Sequence, residues 1–167
     1  MTTFLNSRRA PFALALLLLS ALVVGAVTFG SPRLEASLSG SVERQGQQIP
    51  VEQAGKVSPR EVITWSITAS NVGDSPATSV SFVGDVDDAT NFVPGSVAGP
   101  GVYSVGYSLE HPHENQTFYE RPMVRYTEGG VTKERPASPE EYKAVKITFT
   151  RIGAGETVKA TYRTRVR

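Results

Sequence analysis

The chain has 167 residues, with 17 Lys and Arg against 16 Asp and Glu, 15 glycines, 11 prolines and no cysteine. A body this close to neutral has no electrostatic footprint for bulk nucleic-acid binding. The lack of cysteine excludes a disulfide framework, thiol chemistry and a lipid-modified cysteine anchor, so the one domain that this length allows must be held by burial alone.

Residues 1–30 read MTTFLNSRRAPFALALLLLSALVVGAVTFG. Arg8 and Arg9, with no acidic residue nearby, precede an apolar run from Ala10 to Phe29 that is interrupted only by Pro11, Ser20, Gly25 and Thr28. This is the layout of a secretory signal, with Val24 and Ala26 marking a peptidase site after Ala26 and Gly30 a second one. The 18 residues from Phe12 to Phe29 also reach the lower limit for crossing a bilayer, so a retained anchor is the alternative. Either way residues 31–167 are exported as a single domain. Because the chain stops at Arg167 directly after its last strand, attachment is expected through the N-terminal segment or through partners.

From Leu34 onward the period is two. Leu34, Ala36, Leu38, Gly40 and Val42 alternate with polar or small residues, and Ile63, Trp65, Ile67 and Ala69 follow the same rule. It returns at Val80 and Phe82, at Tyr103, Val105, Tyr107 and Leu109, at Val124 and Tyr126, at Val145, Ile147 and Phe149, and along Val158, Ala160, Tyr162, Thr164 and Val166. These read as antiparallel strands with one face buried. Turn signals separate them at NVGDSP (71–76), VPGS (93–96), AGPG (98–101), EGG (128–130) and GAGE (153–156), with Gly129-Gly130 suited to a tight hairpin. Ser138, Pro139 and Glu141 carry a capping-box signature for one helical turn. EHPHENQTFYERP, residues 110–122, has no clear period and reads as a long loop. Short strands with turns at this spacing predict an all-β fold, an antiparallel two-sheet sandwich.

Three stretches in order, VSPREVITWSITASNVGDSPATSVSFVGDV, TNFVPGSV and RIGAGETVKATYRTRV, resemble a conserved repeat domain of bacterial surface proteins known as domain of unknown function eleven. Asn71, Gly73, Ala77, Thr78, Asp85, Phe92, Pro94, Gly95, Ser96, Gly155 and Glu156 match its pattern. The resemblance spans most of residues 57–97 and 145–166 and implies an immunoglobulin-like β-sandwich. Members usually occur as tandem repeats, whereas this chain carries one copy. The 102–143 region is larger than the usual connection and is where a private function is expected. In this frame Asn71 hydrogen-bonds the backbone of the corner that follows it, Gly73 frees the chain to turn and Pro76 leads into the next strand.

His111 and His113, with Glu110 or Glu114, offer nitrogen and oxygen ligands for a transition metal, or else form a solvated loop. Asp85, Asp87 and Asp88, with Asp74 placed near the same pole, offer carboxylates for calcium, or else satisfy donors of an acidic turn. Lys159, Arg163, Arg165 and Arg167 share one parity and form a basic stripe. It can grip acidic envelope polymers or protect a sheet edge from unwanted pairing. Asn115-Gln116-Thr117 fits a glycosylation sequon. No nucleophile-and-base constellation, phosphate loop or metalloprotease motif is present, so neither an enzyme nor a bound cofactor is expected.

The expectation is a non-enzymatic module of the cell envelope, structural or adhesive, lying at the cell surface, outside the cell or in the periplasm. Its partners would be itself, other envelope proteins or polymers, with no nucleic acid and with membrane contact only through residues 10–30 if they are retained. Two alternatives stand beside it. One is a filament subunit in which the Leu34 to Val42 strand inserts into a neighbour's sheet. The other is a periplasmic ligand- or metal-binding protein that uses the 110–122 loop.

Overall fold

A computed structural model describes residues 30–167. The signal or anchor reading of residues 1–30 falls, except for Gly30, outside the described residues. The described chain folds into ten strands: β1 (Leu34–Arg44), β2 (Gln47–Pro50), β3 (Val62–Asn71), β4 (Ala77–Asp85), β5 (Thr90–Phe92), β6 (Val102–Ser108), β7 (Met123–Glu128), β8 (Val131–Pro136), β9 (Ala144–Ile152) and β10 (Thr157–Val166). One 3₁₀ turn, Pro139–Glu141, stands between β8 and β9. Here the Glu141 carboxylate accepts the Ser138 N–H at 2.7 Å, as the capping signature predicts. No helix of the described residues is long and apolar enough to cross a membrane.

The strands pair antiparallel in three sheets: five strands in the order β2-β1-β3-β10-β5, three in the order β4-β9-β6, and the β7-β8 pair by itself. The first two face each other across one core. Ile67 and Ala69 of β3 and Val158, Ala160 and Tyr162 of β10 meet Val80 of β4 and Val145, Ile147 and Phe149 of β9. The alternation of apolar and polar residues along these strands is what makes two such faces, each turned to the other. The all-β, antiparallel expectation therefore holds, and its sheets are stacked as in a sandwich.

A second, smaller cluster lies lower on the inner face, where Val42, Ala54 and Ile63 pack with Ile49, Val51 and Val57. The 51–57 segment covers this end of β1 and β3. Arg44 pins it from the side, donating to the Ala54 carbonyl at 2.7 Å and to the Lys56 carbonyl at 3.0 Å while its guanidinium also clasps Glu61 at 2.7 Å.

At the opposite pole Asn71 is fully buried. Its amide donates to the Ser75 carbonyl at 2.8 Å and the Ile152 carbonyl at 3.1 Å, and its side-chain oxygen accepts the N–H groups of Arg33 and Gly73, each at 3.1 Å. Asn71 thus ties the β3–β4 corner to β9 and to the chain entering β1. Gly73 has a different reason than turn flexibility. A Cβ there would lie 2.3 Å from the Ser31 carbonyl oxygen and 2.5 Å from the Arg33 nitrogen, so glycine is needed for the close approach of residues 31–33.

Candidate functional site

β1 leaves half of its outer side open. β2 pairs only with Ser41 to Arg44, and beyond it the Gly40 carbonyl accepts the Val51 N–H at 3.0 Å. Arg33 points the other way, its carbonyl accepting the Val72 N–H at 2.8 Å. Backbone groups alternate sides along a strand, so the N–H and C=O of Leu34, Ala36 and Leu38 point outward, where no strand of the described residues pairs with them. The same three side chains share the inner face with Val42. They are not covered as Val42 is, because the 51–57 segment that packs on Val42 does not reach them. Leu34 is 40% and Leu38 54% exposed, and across the seam Val83 of β4 is 44% exposed. Between them runs an open groove of about 190 Å³ lined by Ala36, Leu38, Ile67, Phe82 and Val83. An unpaired strand edge beside an apolar groove has the two parts needed to take an added strand: main-chain partners along the edge, and a place for alternate side chains.

The strand from Leu34 to Val42 is not a free donor. It pairs with β3 over nine positions, from Leu34 opposite Asn71 to Val42 opposite Ile63, within its own sheet.

The region between β6 and β9 has three parts. Residues 109–121 form a loop that touches the edge of β6, where Tyr107 and Tyr119 exchange backbone hydrogen bonds at 2.8 and 3.0 Å. Next, β7 and β8 form a hairpin closed by Gly129 (φ 61°) and Gly130 (φ 78°), as the Gly-Gly pair predicts. Almost all of its residues are exposed, including Met123, Tyr126 and Val131. Its base is held by the Ala137 N–H to the Pro122 carbonyl at 2.8 Å and by the two-pronged contact of Arg135 with Glu141 at 2.7 and 2.8 Å. Finally Tyr142 stacks on Tyr107 with centroids 4.4 Å apart, returning the chain to the core at Phe92.

The structure joins two candidate metal groups that the sequence kept apart. His111 sits between Asp85, 2.8 Å from its Nδ1, and Asp88, 3.3 Å from its Nε2, and Lys143 also reaches Asp88. The Asp85 hydrogen bond, opposed by partial desolvation and helped by Asp88, raises the His111 pKa above its ordinary value. Lys143 first, then His111, lowers that of Asp88. The two carboxylates flank opposite nitrogens of one ring instead of converging on a common point. Asp87 accepts the Ala89 N–H at 2.7 Å, which is the acidic-turn role. His113 pairs with Glu110 at 2.8 Å and with the Glu114 carbonyl at 2.8 Å. Asp74 does not share a pole with the other aspartates: it precedes β4, while Asp85 ends that strand. Among the described residues no group of three or more His, Cys, Asp or Glu side chains is disposed to hold a metal ion.

The basic stripe is exposed at Lys159, Arg163 and Arg165, as parity predicts. Its edge-protecting role is corrected by the topology, because β10 lies between β3 and β5 and is not an edge strand. Arg167 is engaged, donating from Nε to Asn91 at 2.8 Å.

The chain matches no family model, no curated protein and no solved structure.

Sequence reasoning read the inward parity of Leu34, Ala36 and Leu38 but not that the outer edge of β1 beside them lacks a paired strand. The four residues of β2 are too few to pair along an eleven-residue neighbour.

Proposed function

We propose that this chain is a non-enzymatic, exported module of the cell envelope, immunoglobulin-like in the manner of the surface-protein repeat it resembles, that makes contacts by accepting an extended strand. The open edge of β1 at Leu34, Ala36 and Leu38 carries the reading. Its occupant is a segment of about five to seven residues from a neighbouring envelope protein, apolar at alternate positions, because only that pattern satisfies the outward backbone groups and fills the Leu38–Val83 groove. The basic, then apolar N-terminal segment supports export, and the two stacked antiparallel sheets with the Asn71 corner are compatible with the repeat family.

A second reading, a filament subunit, draws on one further observation. The β7–β8 hairpin stands outside both main sheets and has open edges of its own, so a copy carries a possible donor as well as an acceptor. In that version the donor is the hairpin, not β1, and head-to-tail addition does not close.

The test is a photocrosslinking residue at position 38 of the full chain in its native envelope, with position 159 as control. A single discrete adduct from position 38, absent from 159, supports the strand-acceptor reading, and an adduct with the mass of a second copy selects the filament. Equal, diffuse labelling at both positions, or recovery of the chain from the cytosol, sinks it.

A further inference from the structure

The outer face of the three-stranded sheet carries a second groove, separate from the β1 seam. Register places Ser81, Thr148 and Ser104 side by side across β4, β9 and β6, with Val83, Lys146 and Gly106 as the next row. Thr148 Oγ1 lies 2.9 Å from Ser81 Oγ, so the first row is a line of hydroxyls. Phe118 leans over the second row from the 109–121 loop. Gly106 makes room for it, since a Cβ there would come within 3.0 Å of the Phe118 Cβ. The Lys146 ammonium stands 5.6 Å from the centre of that ring. Ser104, Thr148, Lys146, Phe118, Glu120 and Arg121 line an open cavity of about 750 Å³, within the size range of small-ligand sites.

The charges in this groove are uncommitted. Among the described residues Lys146, Arg121 and Glu120 form no ion pair with one another or with any other group. Two cations and one carboxylate leave one net positive charge beside hydroxyls that donate and accept, a carboxylate that only accepts, and an apolar ring. A ligand that answers all of these has one carboxylate, several hydroxyls and a C–H face.

We propose that this groove binds a carboxylated sugar, a hexuronic acid unit of an acidic polysaccharide. Lys146 and Arg121 take its carboxylate, Ser104, Thr148 and Glu120 its hydroxyls, and Phe118 the apolar face of its ring. A bare anion leaves the ring and Glu120 unused, and a neutral sugar leaves the two cations unanswered. The site does not depend on the strand edge of β1, so it stands or falls separately from the function proposed above.

The experiment is calorimetric titration of the full chain with trigalacturonate, its fully methyl-esterified form and inorganic phosphate. The variants are Lys146→Gln, Arg121→Gln and Phe118→Leu, with Lys159→Gln on the opposite sheet as control. Saturable binding of trigalacturonate is expected, weakened about tenfold by either Gln variant in the groove, the loss of one charge-assisted contact, and by more than that on esterification, which removes both. Lys159→Gln should leave it unchanged. Phe118→Leu should weaken it without changing the urea midpoint, and should it unfold the chain, the two Gln variants, which keep Phe118 in place, decide. The proposal is overturned by no binding, by equal binding of the ester, by displacement with equimolar phosphate, or by an equal loss in Lys159→Gln, which would mean bulk attraction to any basic surface.

Discussion

Tyr162 and Gly84 interlock across the two sheets: a Cβ on Gly84 would lie 2.6 Å from the Tyr162 ring, and the Tyr162 hydroxyl donates to the Asp85 carbonyl at 3.1 Å. The ring is almost wholly buried, and that burial holds its phenol well above the ordinary value. Gly84→Ala is expected to cost about 1–3 kcal/mol by overpacking, because the obstructing atoms belong to a rigid ring in the core. Tyr162→Phe keeps the packing and should cost about 1 kcal/mol for the lost hydrogen bond. Urea denaturation of both variants checks the order, and a neutral Gly84→Ala would mean that the sheets can separate locally.

Asn71 is the other point where a single side chain links several segments. Asn71→Ala removes four hydrogen bonds and leaves the Ser75 and Ile152 carbonyls without their donor, an expected loss of about 3 kcal/mol or more. Asn71→Asp should be at least as damaging, since it sets a carboxylate against those two carbonyls. Thermal unfolding distinguishes the variants from wild type; a change below about 0.5 kcal/mol, the range of an ordinary surface substitution, would contradict the role assigned here.

The clamp of His111 on Asp85 and Asp88 is sensitive to pH. Its pKa is raised in the folded chain from an ordinary value of 6.5, so its contribution is fully present below pH 6.5 and is lost as pH rises through the higher folded value. Hydrogen exchange across residues 109–117, corrected for the intrinsic rate, should become faster over that window. His111→Gln should abolish the pH step, and persistence of the step in that variant would assign it elsewhere.

Two carboxylates act in the opposite sense. Glu61, bonded by Arg44 and the Ser58 amide, and Glu141, bonded by Arg135 and the Ser138 amide, are each lowered to about 2 from 4.5. Depressed values give a contribution that is present above pH 4.5 and lost as pH falls through about 2. The double variant Glu61→Gln, Glu141→Gln should therefore show a shallower fall in stability between those limits. Acid titration followed by far-ultraviolet circular dichroism reads the difference.

How much of this was legible in the sequence follows from the range of the forces involved. The alternation along Ile63 to Ala69 and along Val158 to Thr164 gave the inward faces of β3 and β10 directly, because side-chain direction in a strand is a local property. In β4 the alternation is broken. Ser79 has φ 53°, and both Ala77 and Val80 are buried on either side of it, a backbone irregularity with no residue-type signal. The Gly-Gly hairpin and the Ser138 turn were readable from local chemistry. Which strand neighbours which was not: the interior place of β10, the half-covered β1 and the meeting of His111 with Asp85 and Asp88 all depend on pairing between distant segments. Phe118 was hidden for a similar reason, as one aromatic in a segment without period.

The nine-position pairing of β1 with β3, and the equal nine-position pairing of β10 on the other side, have a mechanical consequence. Leu34 lies at the Asn71 pole and Arg165 at the Val62 pole, and the two flanking strands run in the same direction on either side of β3. A tension that draws the start of β1 and the end of β10 apart would slide both ladders along β3 in shear. Their hydrogen bonds would then carry the load together instead of opening one after another like a zip, which is the loading geometry that resists force best.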